Sequence, residues 1–253
     1  MSVEPSSVEP RVNTARGSTE FVQPIAVLKT GSHWATIKAA AAASVLAYLN
    51  DAERAPQWDE WLAGPFAKSV RRTDEAGLRK ARSVEPHAEV RIGDAVALAT
   101  RPYMYADLPK ALARMQVAGT DLPREEAPEV SDPLFTVFLT ETHAMTTGKS
   151  AAQVAHATFL VVRDHLTPAA QAQWLADPSR FDVVPTHPGA LRSLARQGAP
   201  VVIHDAGHTE VGANTLTAVA REGRRSCSPA GLQCGGSATH RSGRQAADQG
   251  RAR

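Results

Sequence analysis

The constraint that bears hardest on this chain is an internal repeat. Trp61-Leu62-Ala63 recurs as Trp174-Leu175-Ala176, an offset of 113 residues. The same offset pairs Pro65 with Pro178, Val70 with Val183, Thr73 with Thr186 and Leu78-Arg79 with Leu191-Arg192. Eight identities therefore fall in nineteen aligned positions without a gap. Upstream, Pro24–Thr30 parallels Leu134–Thr140, and both read as strands leading into an Ala-rich helix. Downstream, His87–Ile92 takes the place of Val201–His204. This self-similarity predicts two copies of one α/β unit.

Each copy reads as strand, long helix, strand, short helix, strand and last strand. In the second copy these are expected at 134–140, about 148–166, 181–184, 188–197, 200–204 and 214–220. Thr146 or Thr147 is placed to cap the long helix, Pro168 follows its end, and Gly198 closes the next helix. Strands separated by helices predict a mixed, mostly parallel four-stranded sheet covered on both faces. The fold class is α/β, two copies of a small three-layer α/β/α unit. The expected organisation is a disordered start over 1–20, a degenerate repeat over 21–120, and a Pro- and acid-rich linker over 121–133. The second repeat follows over 134–220, then a disordered Arg/Gly/Ser tail over 221–253.

With 253 residues the chain can fill one large core or two small ones. The longest apolar stretch, Ala39–Leu49, is too short to span a bilayer, and Met1–Gly17 has no apolar centre of the secretory kind. The expectation is a cytoplasmic protein with no membrane partner. Net charge is +2, but the tail from 221 holds seven Arg against two acids, and residues 1–220 carry −3. The globular part is thus mildly acidic. Such a tail is open to three readings: an RNA-binding arm, a bland spacer, or an ending altered by a change of reading frame. Cys227 and Cys234 also lie there and make neither a zinc site nor a disulfide framework.

Two segments of the second copy carry chemistry. Gly148-Lys149 opens the long helix, and Lys149, Gln153 and His156 follow at i, i+4 and i+7 on one face. Small residues between them (Ala151, Ala152, Ala155, Ala157) let another element or a substrate approach closely. A Lys in the first turn opposes the macrodipole's preference and gains nothing structurally. With free backbone N–H groups it makes a site for an anion or developing oxyanion, and the bland alternative is a solvated Lys beside two polar interface residues. The second segment is Val201-Val202-Ile203-His204-Asp205-Ala206-Gly207-His208-Thr209-Glu210. Asp205 stands at the carboxyl end of a strand, where ligands bind in open α/β sheets. Gly207 permits a tight turn, and Thr209 offers a hydroxyl to whatever Asp205 faces. The alternative is an Asx-turn in which Asp205 only organises its own loop.

Together, Met145-Thr-Thr-Gly148-Lys149-Ser-Ala-Ala-Gln153-Val-Ala-His156-Ala157 and Asp205-Ala-Gly207-His-Thr209-Glu-Val with Thr215-Leu-Thr217 resemble the paired signatures of type II peptidyl-tRNA hydrolases. The resemblance covers roughly 132–220. It implies hydrolysis of the ester joining a peptide to the 3′ ribose of tRNA, on an α/β/α unit that is usually dimeric and needs no metal or cofactor. Carried over residue by residue, it implies that Lys149 binds the tRNA 3′ end or steadies the oxyanion, and that Asp205 positions the attacking water with Thr209 as its partner. Gln153 and His156 would orient the substrate or the groups next to it, so that the resemblance implies Lys149, Asp205, Thr209 and His156 as catalytic and Gly148, Gln153, Gly207 and His208 as substrate-binding. No Gly-x-Ser-x-Gly elbow is present, and no Cys precedes the tail, so a covalent nucleophile is unsupported. The chain departs from the family pattern at Thr140-Glu141-Thr142-His143, at His208 where the family has Arg, and at Glu210 where it has Gln. At the closing Ile-Gly-Pro it has Arg221-Glu222-Gly223.

The first copy lacks this set. Lys38 aligns with Lys149, but Ala42, Val45 and Arg91 stand opposite Gln153, His156 and Asp205. It is expected to be inert and to replace the second subunit of a dimer, giving an intramolecular pseudo-dimer. Arg71, Arg72, Arg79, Lys80 and Arg82 form a basic cluster there, read either as a tRNA backbone contact or as a solvated face. The leading expectation is a peptidyl-tRNA hydrolase with one working copy; the rival is a tRNA- or ligand-binding module of the same fold without turnover.

Overall fold

The computed structural model describes residues 20–51, 55–141, 145–207 and 210–223. The expected disorder of the N-terminus and of the tail beyond Gly223, both cysteines, and His143, His208 and Thr209 lie outside the described residues.

Two sheets form, one from each half of the chain. In the first, β1 (Phe21–Leu28) is central; β2 (Ala67–Thr73) pairs parallel to one side of it and β4 (Ala95–Thr100) antiparallel to the other, with β3 (His87–Ile92) outside β4. A two-residue strand, β5 (Tyr103–Met104), adds to β1. In the second, β6 (Phe135–Thr140) is central between β7 (Phe181–Thr186) and β9 (Leu216–Glu222), with β8 (Val201–His204) outside β9. The strand orders β2-β1-β4-β3 and β7-β6-β9-β8 are the same arrangement twice. Each is mixed, as expected, but only one pairing in each path is parallel (β1 with β2, β6 with β7). The mostly parallel expectation is corrected. Strands β3 and β4, and likewise β8 and β9, are joined without a helical crossover and pair antiparallel.

Helices cover both faces. In the first half α1 (His33–Leu49) lies on one side, while α3 (Glu75–Ala81) and the one-turn α4 (Lys110–Ala113) lie on the other, where Leu78 and Leu112 pack on Leu28, Val96 and Leu98. In the second half α5 (Thr147–Leu160) covers the inner face and α7 (Pro188–Arg196) the outer, with Leu191 packed on Phe138 and Val219. The two long helices meet each other, so α1 and α5 form a shared middle layer within one continuous core. That placement explains the composition of α1. Ala39 to Ala43 are completely buried, and a helix enclosed on all sides needs small apolar residues all round. The small residues of α5 serve the same contact: the element they admit is α1.

Aromatic rings fill the seam at one end. Trp58 packs edge-on to Trp61 and Tyr48, Trp61 edge-on to Phe159, and Phe66 lies tilted against Trp61 and edge-on to Phe159, all within the seam beside α2 (Pro56–Ala63). Each Trp N–H is satisfied, by Asp51 Oδ2 at 2.7 Å and by the Ala67 carbonyl at 2.6 Å, so the burial leaves neither indole donor unpaired. At the other end, residues 119–125 cross the first turns of both long helices. The Thr120 carbonyl accepts from Gly148 N–H at 2.9 Å and the Pro123 carbonyl from His33 N–H at 2.9 Å. Leu122 N–H donates to Thr147 Oγ1 at 2.9 Å. This start of the expected linker is therefore a strap bonded to both halves.

Three boundaries differ from the sequence reading. The long helix keeps α geometry only to Leu160 and widens into a π turn over Val161–His165, closed by Leu166 N–H on the Val161 carbonyl at 2.9 Å. Pro168 opens a further helix, α6 (Pro168–Ala176), as its first residue, capped by Thr167. The last strand starts at 216 because a turn holds 212–215, with Asn214 at φ +63°. It then runs on to Glu222, where Arg221 pairs with Thr136 and lies over the Phe138 ring at 5.3 Å.

Candidate functional site

The site forms where α5 passes the carboxyl end of β8. Asp205 follows the strand and is almost fully buried, and its two oxygens have separate duties. Oδ1 accepts from Gly207 N–H at 2.7 Å, the Asx-turn considered above. Oδ2 accepts from Gln153 Nε2 at 2.7 Å and forms an ion pair with the Lys149 ammonium. Asp205 therefore does more than organise its own loop: its second oxygen faces the helix. Gly207 is at φ +83°, and a Cβ there would meet the backbone of Ala213 at 2.5–2.6 Å, so the turn requires glycine. The loop is pinned further by Asp205 N–H on the Thr215 carbonyl at 2.8 Å and Asn214 N–H on the Asp205 carbonyl at 2.7 Å.

Gln153 is held from behind. Thr217 Oγ1 donates to Gln153 Oε1 at 2.7 Å and lies 3.2 Å from the Ile203 carbonyl. The position of Thr217 has a local cause. The β8–β9 register shifts between Ile203 and His204, which face Ala218 and Leu216 and leave Thr217 as the extra residue. A bulge re-aims one side chain, here toward α5. Thr217 was visible in sequence only as part of the second signature; its role as partner of Gln153 depends on that bulge.

The first turn of α5 is not open to an anion in the way its sequence implies. Gly148 N–H is bonded to Thr120, and a Cβ at Gly148 would meet that threonine's Cβ at 3.1 Å. Gly148 is therefore buried against the strap, which is why only glycine fits comfortably. Thr146 caps the helix through Lys149 N–H at 3.3 Å. Glu210 in turn accepts from Thr146 N–H and Thr146 Oγ1, both at 2.7 Å. A carboxylate suits the positive end of a helix, and it draws the 205–215 loop onto α5.

His156 sits apart from this network. Its ring lies 5.0 Å from that of Phe66, at the seam with the first half. Burial pushes the imidazole well below its usual range, and Lys68 and Lys149 push it further, so it is neutral near pH 7. Lys68 is itself enclosed, its ammonium over the Trp61, Phe159 and Phe66 rings and bonded to Gln23 Oε1 and Ser44 Oγ at 2.9 Å. Burial lowers its pKa well below the usual lysine range, with Arg163 contributing. His33, at the first turn of α1, places Nδ1 2.9 Å from Thr147 Oγ1. Burial, followed by Arg124, lowers it to about 4, against a smaller opposing pull from Asp121.

Residues 136–224 match the family of peptidyl-tRNA hydrolase PTH2. The match runs from β6 through β9, so it contains Lys149, Gln153, Asp205, Gly207 and Thr217, and a PTH2-type domain is supported over that segment. The first half lies outside it. Among curated proteins none matches the chain.

Against the PTH2-type half, the first half offers no equivalent network. Lys38 is buried beside the Phe181 ring, and burial lowers its pKa against the opposing pull of Asp182 and Asp177. The basic cluster of that half is also not one face. Arg71 is buried and bonded to the Leu112 carbonyl, Arg72 bonds Gln116 and the Gly119 carbonyl, and Arg82 pairs with Glu89. Only Arg79 and Lys80 of the five are fully exposed, so the five do not make one continuous basic face.

Proposed function

We propose that this protein hydrolyses peptidyl-tRNA, and that the PTH2-type half carries the reaction. The observation that supports it most is the convergence of Lys149 and Gln153, the latter held by Thr217, on Asp205 at one strand end. Asp205 accepts three hydrogen-bond or ion-pair contacts, which leaves lone-pair capacity on Oδ1 for a water molecule. Water oriented there attacks the ester carbonyl carbon. The bond from that carbon to the 3′ ribose oxygen breaks, and the proton given up by water ends on the departing ribose hydroxyl, with Asp205 as the intermediate carrier. The Lys149 ammonium, next to the same carboxylate, balances charge on the developing oxyanion. Gln153, fixed by Thr217, sets the direction of Asp205. Thr209 and His208 retain the roles implied by the resemblance, and His156 acts through the packing of α5.

The first half is read as a repeat that has lost these groups and stands where a second subunit would, an intramolecular pseudo-dimer about the α1–α5 contact. The repeated strand order supports this reading. A cytoplasmic place in translation goes with the activity, and no described helix is long and apolar enough to cross a membrane.

A binding module without turnover is the second reading. It is favoured by Glu210, whose carboxylate occupies the helix terminus where an anion would dock. Release of labelled N-acetyl-aminoacyl ester from tRNA separates the two: turnover that Lys149→Ala reduces at least a hundredfold supports the hydrolase, and salt-sensitive tRNA binding without turnover supports the module.

A further inference from the structure

The outer face of the second sheet carries a groove of about 500 Å³ that the site above does not use. Arg192 and Arg196 of α7 and His204 of β8 line it, with Thr140, Asn214 and Thr215 as polar neighbours and no carboxylate among the described residues. His204 and Asp205 are successive residues at the strand end, so their side chains leave on opposite sides of the sheet. Asp205 turns to α5 and His204 to the groove. The groove wall at 214–215 is also the segment whose backbone bonds Asp205 on both its N–H and its carbonyl. The groove and the site therefore flank one strand end.

The two arginines are not explained by stability. They are four residues apart on an exposed helical face, where like charges destabilise a helix by roughly 0.2–0.5 kcal/mol. The helix dipole accounts for Arg196 in the last turn and leaves Arg192 unexplained. Arg82, Arg101, Arg163 and Arg180 each rest on a carboxylate, whereas neither Arg192 nor Arg196 has an ion-pair partner among the described residues. In a globular part with an acidic balance, a local basic groove is what a polyanion would find. We infer that Arg192, Arg196 and His204 hold the tRNA phosphodiester backbone while its 3′ ester reaches Asp205. The inference rests on the hydrolase reading for its choice of polyanion. Its contacts are to phosphate, so they position the substrate without reading its sequence.

The test is binding of deacylated tRNA to the full chain across a KCl series, beside hydrolysis of peptidyl-tRNA. Arg192→Glu/Arg196→Glu is expected to weaken tRNA binding at least tenfold at low salt. It should also make the slope of log K against log [KCl] shallower by roughly 1.5–2, the release of about two phosphate contacts. Arg192→Lys/Arg196→Lys should keep most of both, and melting curves confirm that all variants fold. Unchanged affinity and slope in the Glu variant, with wild-type hydrolysis intact, overturns the groove alone. Loss of binding in that variant without wild-type hydrolysis supports the groove and overturns the hydrolase reading. A wild type that does not bind tRNA overturns both.

Discussion

Gln153 Nε2 donates to Asp205 Oδ2 at 2.7 Å, joining the middle of one buried helix to a strand end 52 residues later. The amide leaves its oxygen free to accept from Thr217, so the chain Thr217–Gln153–Asp205 runs in one direction, each member donating to the next. It fixes which face the carboxylate presents.

Thr217→Val keeps shape and removes the hydroxyl. The buried Gln153 oxygen then lacks its donor, at a cost of about 1–3 kcal/mol, which a melting experiment would register as a drop of several degrees. Turnover should fall about tenfold to a hundredfold, since Asp205 loses its orientation. Thr217→Ser should restore most of both. An unaltered rate in the Val variant would remove Thr217 from the account.

Gly207→Ala tests the turn. The new Cβ would strike the Ala213 backbone, and φ of +83° is already unfavourable for alanine. A cost of about 1–3 kcal/mol is expected, together with loss of the Gly207 N–H bond to Asp205 and hence of activity. Gly198→Ala serves as a comparison, because it shares a positive φ but meets nothing within 4 Å. It should lose stability without losing turnover.

Acid should weaken the fold through His33. Its folded pKa of about 4 lies below the ordinary 6.5, so the unfolded chain takes up a proton first. The stabilisation is fully present above about pH 6.5 and is lost as pH falls toward about 4, at up to about 1.4 kcal/mol per unit. His156, also lowered, acts in the same direction. Denaturant titrations at pH 7 and pH 5 should therefore show a smaller loss for His33→Gln than for the wild type. Equal losses would mean that His33 is not buried in its neutral form.

Much of this arrangement was readable in the chain. The internal similarity of sequence led to the expectation of two like sheets, and the two strand orders agree. The spacing of Lys149 and Gln153 put them on one helical face, while the meeting of that face with Asp205 comes from the fold. What the sequence hid depends on neighbours far along the chain. The free helix terminus read at Gly148 is filled by Thr120, and a strap cannot be seen in a segment whose composition says only linker. Thr217 needed a register shift that no local pattern encodes. His156 shares the period of Lys149 and Gln153, yet three residues further on the helix has reached the seam, where Phe66 is its neighbour. The parallel expectation failed because helix-strand alternation stops before the last strand of each half.

Asp205 is the group proposed to activate water for ester hydrolysis. The most direct measurement is single-turnover hydrolysis of N-acetyl-aminoacyl-tRNA by the wild type and by Asp205→Asn, with tRNA binding measured alongside. Asparagine keeps the size and its Oδ1 can still accept from Gly207, but its amide nitrogen, set against Gln153 and Lys149, can neither accept from them nor take a proton. The wild type is expected to hydrolyse the ester, and Asp205→Asn to be slower by at least a hundredfold with tRNA affinity within a few-fold of wild type. Hydrolysis by Asp205→Asn at the wild-type rate would contradict that role.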